Sequence, residues 1–359
     1  MHCVIVTNIP SPYRNPVYEL LPPGEFTVLF CARSEGNRQW QLAPLQFAHR
    51  VLPGKARALA DGYNFVHDNP AVWRALNELR PDVVITTGVN PTHLRAFAWT
   101  RLNRARHVYQ TDGTVQSEEH LGWKHRAVRR IVLQGSAAGI AASSSGCALL
   151  SSYGLAPDRI FKSPLCADNA RFSSPELAAR DFDVMFVGQL HERKLPMLFV
   201  QTCAALRQQR GSCSALVLGD GPMRTKVLDA LVQARVDVHY AGFVQPEALP
   251  PWYGRSKLLL FTTRLDPWGV VANEAMAAGT PVLTTAFAGA AGDLVVDQVN
   301  GRILPVDVTA WVAACRPLLD DALAWQRMST QALARVGDFS YAAAARGIVD
   351  ACARADRDR

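Results

Sequence analysis

Short runs rich in Val, Ile, Leu and Phe alternate along the chain with stretches of helical spacing, and the alternation restarts near residue 182. Near-continuous apolar runs are what parallel strands look like when crossover helices bury both sheet faces. In the first half the runs predict strands at residues 2–8, 26–32, 82–87, 107–111, 138–142 and 160–164. Between them the spacing predicts helices, for example over 69–79 with Val72, Leu76 and Leu79 on one face. The second round runs through FDVMFVGQ (182–189), SALVLGDG (214–221), VDVHYAGFV (236–244), KLLLFTT (257–263) and PVLTT (281–285). After its first strand comes a helix with Leu198, Cys203 and Leu206 facing inward.

The expected fold class is therefore α/β, with two Rossmann-like doubly wound parallel-sheet domains. A length of 359 residues agrees, at roughly 100–200 residues per domain. The polar stretch DNARFSSPELAARD puts the junction near 167–181, giving domains 1–168 and 169–339. The Ala-rich last helix, about 340–359, is compatible with packing on either domain, back on the first included. Such sheets bind ligands beyond the carboxyl ends of their strands, so the loops there are where chemistry belongs.

Charge divides these halves. Residues 1–170 hold 18 Lys+Arg against 12 Asp+Glu, or +6, and residues 171–359 hold 20 against 19, or +1. A basic half suits an anionic partner (a membrane surface, a phosphorylated substrate, a nucleic acid) and equally a solvated basic surface. Hydrophobic residues at 49% exclude a disordered chain. Eight cysteines without a C-x-x-C pair read as small hydrophobes in a reducing compartment. The start MHCVIVTNIP has no signal-peptide pattern, and the longest uncharged run, 275–292, is broken by Gly, Thr and Pro. The expectation is a cytoplasmic protein, with any membrane contact peripheral at the inner face.

The most informative segment is TTRLDPWGVVANEAMAAGTPVLTT, residues 262–285. It follows a buried strand and opens a helix near 268–270, with Asp266 read as the cap and Pro267 in the first turn. The N–H groups of Gly269, Val270 and Val271 then face an incoming ligand at the positive helix end, which suits phosphate. Glu274 lies among small and apolar residues, where an unpaired carboxylate costs several kcal/mol. It either accepts hydrogen bonds from a ligand or is a surface Glu.

This segment resembles the signature of the retaining glycosyltransferases of family 4, which have a GT-B fold. There an acidic residue, seven further residues and Glu precede Ala-Met-Ala and Gly-x-Pro; here the match is DPWGVVANEAMAAGTPV. The resemblance implies two domains facing a cleft, the first for the acceptor and the second for a nucleotide-sugar. It implies that Glu274 binds the nucleotide ribose and that Asp266, where Glu is usual, lies near the donor sugar. Gly188 ends a strand, and Lys194 six residues later stands where the family keeps a diphosphate-binding Lys. The family's Arg after that glycine is Gln189 here, and Arg193 is positioned to compensate or to be a solvated helix-start residue. GDGP, with Gly219 and Gly221, matches the loop after the next strand, and VNGRILPVD (299–307) fits a later structural turn. These motifs span roughly 180–340, and the first half matches only in outline.

The reaction implied is transfer of a sugar from a nucleotide-diphosphate sugar to a hydroxyl acceptor, as in bacterial-type polysaccharide or glycolipid biosynthesis. Lys194, Arg193 and the N–H groups at 269–271 would carry the departing diphosphate, so no metal or other cofactor is expected. In the family the leaving phosphate takes the acceptor proton. On the acceptor side, a saccharide or a lipid-linked molecule, Arg14 in NIPSPYRNP and Asp112 are candidates. A Pro-rich turn with a surface Arg and a turn-forming Asp-Gly are the plainer readings. The base is expected near Phe243 and Val244.

GWKHRAVRRIVL (122–133) and RAFAWTRLNRARH (95–107) read as basic helices, suited to anionic lipid or to plain solvation. Two other functional classes compete: a nucleotide-sugar epimerase on the same fold, and a non-catalytic nucleotide- or nucleic-acid-binding protein. The first would need acid/base groups inside the cleft, and the family 4 spacing argues against it; the second has few stacking aromatics in its basic stretches and no recognition motif, so no nucleic acid is expected.

Overall fold

A computed structural model of the chain describes all residues except 60–63, 120, 173–179 and 358–359. Part of the expected junction, 173–179, thus lies outside the described residues. The chain forms two compact units, Met1–Leu165 with Tyr341–Arg359, and Cys166–Ser340.

The N-terminal unit is built on β1 (Cys3–Thr7), β2 (Phe26–Phe30), β3 (His49–Val51), β4 (Lys55–Ala58), β5 (Phe65–Asp68), β6 (Val83–Thr86), β7 (Arg106–Thr111), β8 (Ala138–Ala141) and β9 (Ile160–Lys162). Seven of these make a parallel sheet in the order β3-β2-β1-β6-β7-β8-β9, and β4 and β5 pair as an antiparallel ribbon. Its helices are α1 (Asn15–Glu19), α2 (Val72–Leu79), α3 (Pro91–Leu102), α4 (Val115–Glu118), α5 (Trp123–Gln134) and α6 (Ser144–Ser152). The central strands β1 and β6 are almost wholly buried, as apolar runs with helices on both faces require.

The C-terminal unit repeats the plan with β10 (Phe182–Val187), β11 (Ser214–Leu218), β12 (Asp237–Gly242), β13 (Ser256–Phe261), β14 (Val282–Thr285) and β15 (Gly301–Leu304). All six are parallel, in the order β12-β11-β10-β13-β14-β15. That is the 3-2-1-4-5-6 order of nucleotide-binding sheets, whose ligand crevice opens where the order reverses, here between β10 and β13. Around it lie α7 (Pro196–Arg210), α8 (Arg224–Gln233), α9 (Pro250–Tyr253), α10 (Val270–Ala277), α11 (Val308–Asp320) and α12 (Ala322–Val336). Leu198, Cys203 and Leu206 of α7 join Val184, Phe186, Leu258 and Leu260 in one core.

The last helix, α13 (Tyr341–Arg357), belongs to the N-terminal unit. Its alanines 344, 345, 351 and 355 are buried, and small side chains let the helix lie close on the sheet. A Cβ on Gly347 would sit 1.8 Å from the Lys162 carbonyl oxygen, so that contact admits only glycine. Counted on these units, Lys+Arg and Asp+Glu are 22 and 14 in the N-terminal unit and 16 and 17 in the other, so the charges are +8 and −1. No disulfide joins the eight cysteines, seven of which are buried. Among the described residues no helix is long and apolar enough to cross a membrane.

Candidate active site

Beyond the carboxyl end of β10 the chain turns at Gly188, whose φ of +138° suits glycine. A one-turn 3₁₀ segment, Glu192–Lys194, follows, and Leu195 in the left-handed region then starts α7. The turn presents Lys194, whose side chain is buried, passes over Gly188 and contacts the Asp266 carboxylate. Its ammonium lies 5.1 Å from the ring centroid of Phe261. Backbone bonds sew the two strand-end loops together: Arg264 N–H donates to the Arg193 carbonyl at 2.8 Å, and the Thr262 hydroxyl to the Lys194 carbonyl at 2.8 Å. The switch point of the sheet thus holds a cation and an anion in contact.

Burial alone would push the Asp266 carboxyl up, but the Lys194 ammonium, helped by Arg193 and the Trp268 N–H, holds it below the usual carboxylate range. Its Oδ1 accepts that N–H at 3.2 Å, an Asx-type turn. Asp266 is therefore not the cap of α10, as the Asp-Pro pattern suggested. Gly269 occupies the cap position with φ +96°, and a Cβ there would fall 2.2 Å from the Phe261 ring. The first helical bond of α10 runs from the Ala272 N–H to the Gly269 carbonyl at 2.9 Å, so the N–H groups of Gly269, Val270 and Val271 have no carbonyl of the helix to donate to.

Glu274 is buried in α10 and accepts a hydrogen bond from the hydroxyl of Tyr253, itself fully buried on α9. It is not a surface Glu. Burial pushes its carboxyl up from 4.5 to about 7, against the Tyr253 bond, which lowers it. The guanidinium of Arg180 donates to the carbonyls of Ala278 (2.7 Å) and Ser256 (2.6 Å), fixing the far end of α10. The Trp268 indole N–H donates to Asn273 Oδ1 at 2.7 Å, tying the loop before α10 to the helix.

Gly219 and Gly221 serve packing. A Cβ on Gly219 would lie 2.0 Å from the Gly188 oxygen, and one on Gly221 2.5 Å from the Leu190 oxygen. These glycines let the loop after β11 press on the Gly188–Lys194 turn. Arg193 gives a guanidinium bond to the Leu265 carbonyl at 3.0 Å, bracing the Asp266 loop. Phe243, just past β12, is exposed.

Sequence reasoning missed Tyr253, Trp268, Asn273 and the segment 286–292 after β14. Gly289 N–H donates to the Asp266 carbonyl and Ala290 N–H to that of Trp268, both at 2.9 Å. A Cβ on Gly289 would meet the Pro267 oxygen at 1.8 Å. The signal available was AFAGAAG directly after a buried strand.

In the N-terminal unit the structure brings Arg14 and Asp112 into an ion pair. Arg14 also donates to the Ser163 carbonyl and hydroxyl, each at 3.1 Å. It is buried, so the surface-Arg reading is wrong: this guanidinium ties together the ends of β1, β7 and β9. His93, on the first turn of α3, was also overlooked. It is buried with no hydrogen bond to either ring nitrogen among the described residues, and burial drives its pKa down to about 3. Among the described residues no group of three or more His, Cys, Asp or Glu side chains is gathered to hold a metal ion.

Residues 181–321 match the family model described as Glycosyl transferases group 1. That match covers most of the C-terminal unit, which is therefore similar to a group 1 glycosyltransferase domain. The chain is 30% identical over 221 residues to a D-inositol 3-phosphate glycosyltransferase of Nocardia farcinica, covering 56% of this chain and 49% of that one. It is 26% identical over 191 residues to a glycogen synthase of Mycobacterium tuberculosis, covering 52% and 46%. The matches thus span about half the length of these relatives. In structure the chain is similar to HepE of Anabaena in complex with UDP, at a TM-score of 0.78 and 16% identity over 98% of this chain and 100% of that one. HepE in complex with UDP-glucose gives 0.73 and 15% over the same shares. The fold is GT-B, with a Rossmann-like sheet in each unit.

Proposed function

We propose that the chain transfers a sugar, with retention of anomeric configuration, from a nucleotide-diphosphate sugar to a hydroxyl of a saccharide or lipid-linked acceptor, in polysaccharide or glycolipid assembly. The observation that carries this reading is the Lys194–Asp266 pair at the switch point, beside the N-terminus of α10. A departing diphosphate needs positive charge where its own negative charge develops. Lys194 and the N–H groups at 269–271 supply it. Asp266 pairs with Lys194; a bound diphosphate takes over the ammonium, and the carboxylate then faces the sugar and its growing positive charge. The bond from the anomeric carbon to the phosphate oxygen breaks, the acceptor oxygen bonds to that carbon on the same face, and the acceptor proton passes to the leaving phosphate. Glu274 binds the ribose hydroxyls through the oxygen that Tyr253 leaves available. UDP is the first donor nucleotide to test, since HepE was solved with UDP and with UDP-glucose. On the acceptor side, the more exposed Asp112, held in place by the buried Arg14, meets the acceptor. With ammonium and helix end carrying the charge, catalysis proceeds without a metal.

The test is turnover of UDP-, GDP-, ADP- and TDP-sugars with saccharide and lipid-linked acceptors in EDTA, with product configuration read by NMR. Retained configuration supports the proposal. An inverted product, a donor isomerised without any acceptor, or loss of turnover in EDTA contradicts it.

A further inference from the structure

The charge of the N-terminal unit is concentrated. Residues 95–130 hold eight Lys+Arg (95, 101, 104, 106, 124, 126, 129, 130) against three Asp+Glu (112, 118, 119), or +5 of the unit's +8. The end of that stretch is α5, WKHRAVRRIVLQ. Its inner face is settled: Val132 and Leu133 are buried, and Arg129 turns in to pair with Glu118 at 2.7 Å.

The outer face is unusual for a protein surface. Trp123 is 75% exposed and Ile131 63% exposed, and Ala127 between them is exposed as well. Residues at i, i+4 and i+8 fall within an arc of about 80° on a helix. The three therefore form one apolar stripe on the side away from the core. On the same wheel Lys124 borders it on one side, Arg130 and Arg126 on the other. Lys124 keeps its ammonium 5.7 Å from the Trp123 ring centroid, and Arg126 reaches the Glu119 carbonyl at 2.8 Å. An exposed indole costs solubility and adds nothing to this core. An apolar stripe edged by cations is what an anionic bilayer surface recognises: the stripe enters the boundary between headgroups and acyl chains, and the cations remain among the phosphates.

We propose that α5 docks the N-terminal unit on an anionic lipid surface through Trp123, Ala127 and Ile131, with Lys124, Arg126 and Arg130 on the headgroups. The contact is electrostatic at its edges and apolar at its centre, so it requires both anionic lipid and the stripe. It extends the proposed transferase activity by naming where an acceptor would be met, yet its test needs neither donor nor turnover.

The experiment is co-sedimentation of the full chain with vesicles of phosphatidylcholine alone and with about one third phosphatidylglycerol, at low and high salt. Binding is expected only with the anionic lipid, weakened by salt. Lys124→Glu with Arg130→Glu should weaken it by well over the roughly fivefold expected for each lost cation. Trp123→Ala with Ile131→Ala should weaken it by an order of magnitude or more while the charge is unchanged. Both pairs are solvent-exposed, and an unchanged thermal transition shows that each variant is folded. Failure of the wild-type chain to bind anionic vesicles, equal binding to neutral ones, or folded variants that bind like wild type would overturn the proposal and leave the donor site untouched. Binding to an acidic protein in place of vesicles counts against it too.

Discussion

The Lys194 ammonium and the Asp266 carboxylate meet where the strand order of the C-terminal sheet reverses, although 72 residues separate them. Both are largely buried, so each needs the other: a buried ion without its partner costs several kcal/mol. The same pair that holds two loops together is the one a diphosphate must open.

Lys194→Ala should therefore lower kcat/KM by about 10²–10³ or more and destabilise the unit by about 3 kcal/mol, since Asp266 is left buried and unpaired. Adding Asp266→Ala should return much of the stability and none of the activity. Denaturant unfolding of the two single variants and the double variant measures the coupling, and a double variant as unstable as the sum of the singles contradicts the pairing.

Because its carboxyl is held below the ordinary value of 3.8, Asp266 favours the fold above that pH, and the contribution is lost as pH falls through the depressed value. Asp266→Asn should thus be less stable than wild type at pH 7, with the gap closing under strong acid. A gap that is the same at pH 7 and in strong acid contradicts the pairing.

Glu274 has the opposite sign. With its carboxyl raised from 4.5 to about 7, the folded state prefers the protonated form, so stability falls as pH rises across that range and stays lower above it. Glu274→Gln should be as stable as wild type near pH 4.5 and more stable at pH 8, by up to about 3 kcal/mol. Its donor affinity should drop, because Gln loses the charge that ribose hydroxyls meet. Melting curves at pH 5 and pH 8, with and without UDP, check both halves.

The fold was legible because buried parallel strands leave continuous apolar runs such as FDVMFV. β3 and β4 left none: HRV and KARA are exposed throughout, and no burial periodicity marks them. At the site, the loop chemistry of DPWG and the position of Lys194 were readable from local sequence. The cap was misread because Asp-Pro is a good helix entry, whereas Gly269 takes the cap position at φ +96°, with the Phe261 ring standing where a Cβ would go. Tyr253 as partner of Glu274, and Arg14 as a buried tie, depend on tertiary contacts that no local pattern carries.

Close backbone packing makes its own prediction. Gly269→Ala and Gly289→Ala each force a Cβ within about 2.2 Å of fixed atoms, Phe261 and the Pro267 oxygen. Each should cost at least 1–3 kcal/mol, about the range for overpacking, and depress activity by moving Asp266. Gly211→Ala, with φ +83° and open space around it, should show only backbone strain, about 1 kcal/mol. Equal losses at all three positions would contradict the steric account.

The most direct measurement is calorimetric titration of wild type and Lys194→Ala with UDP, GDP, ADP, TDP and their sugars. At least one nucleoside diphosphate sugar is expected to bind wild type, and Lys194→Ala, still folded, to bind it at least tenfold more weakly. No binding by any of them, or equal affinity in the two proteins, would contradict the assignment of this site.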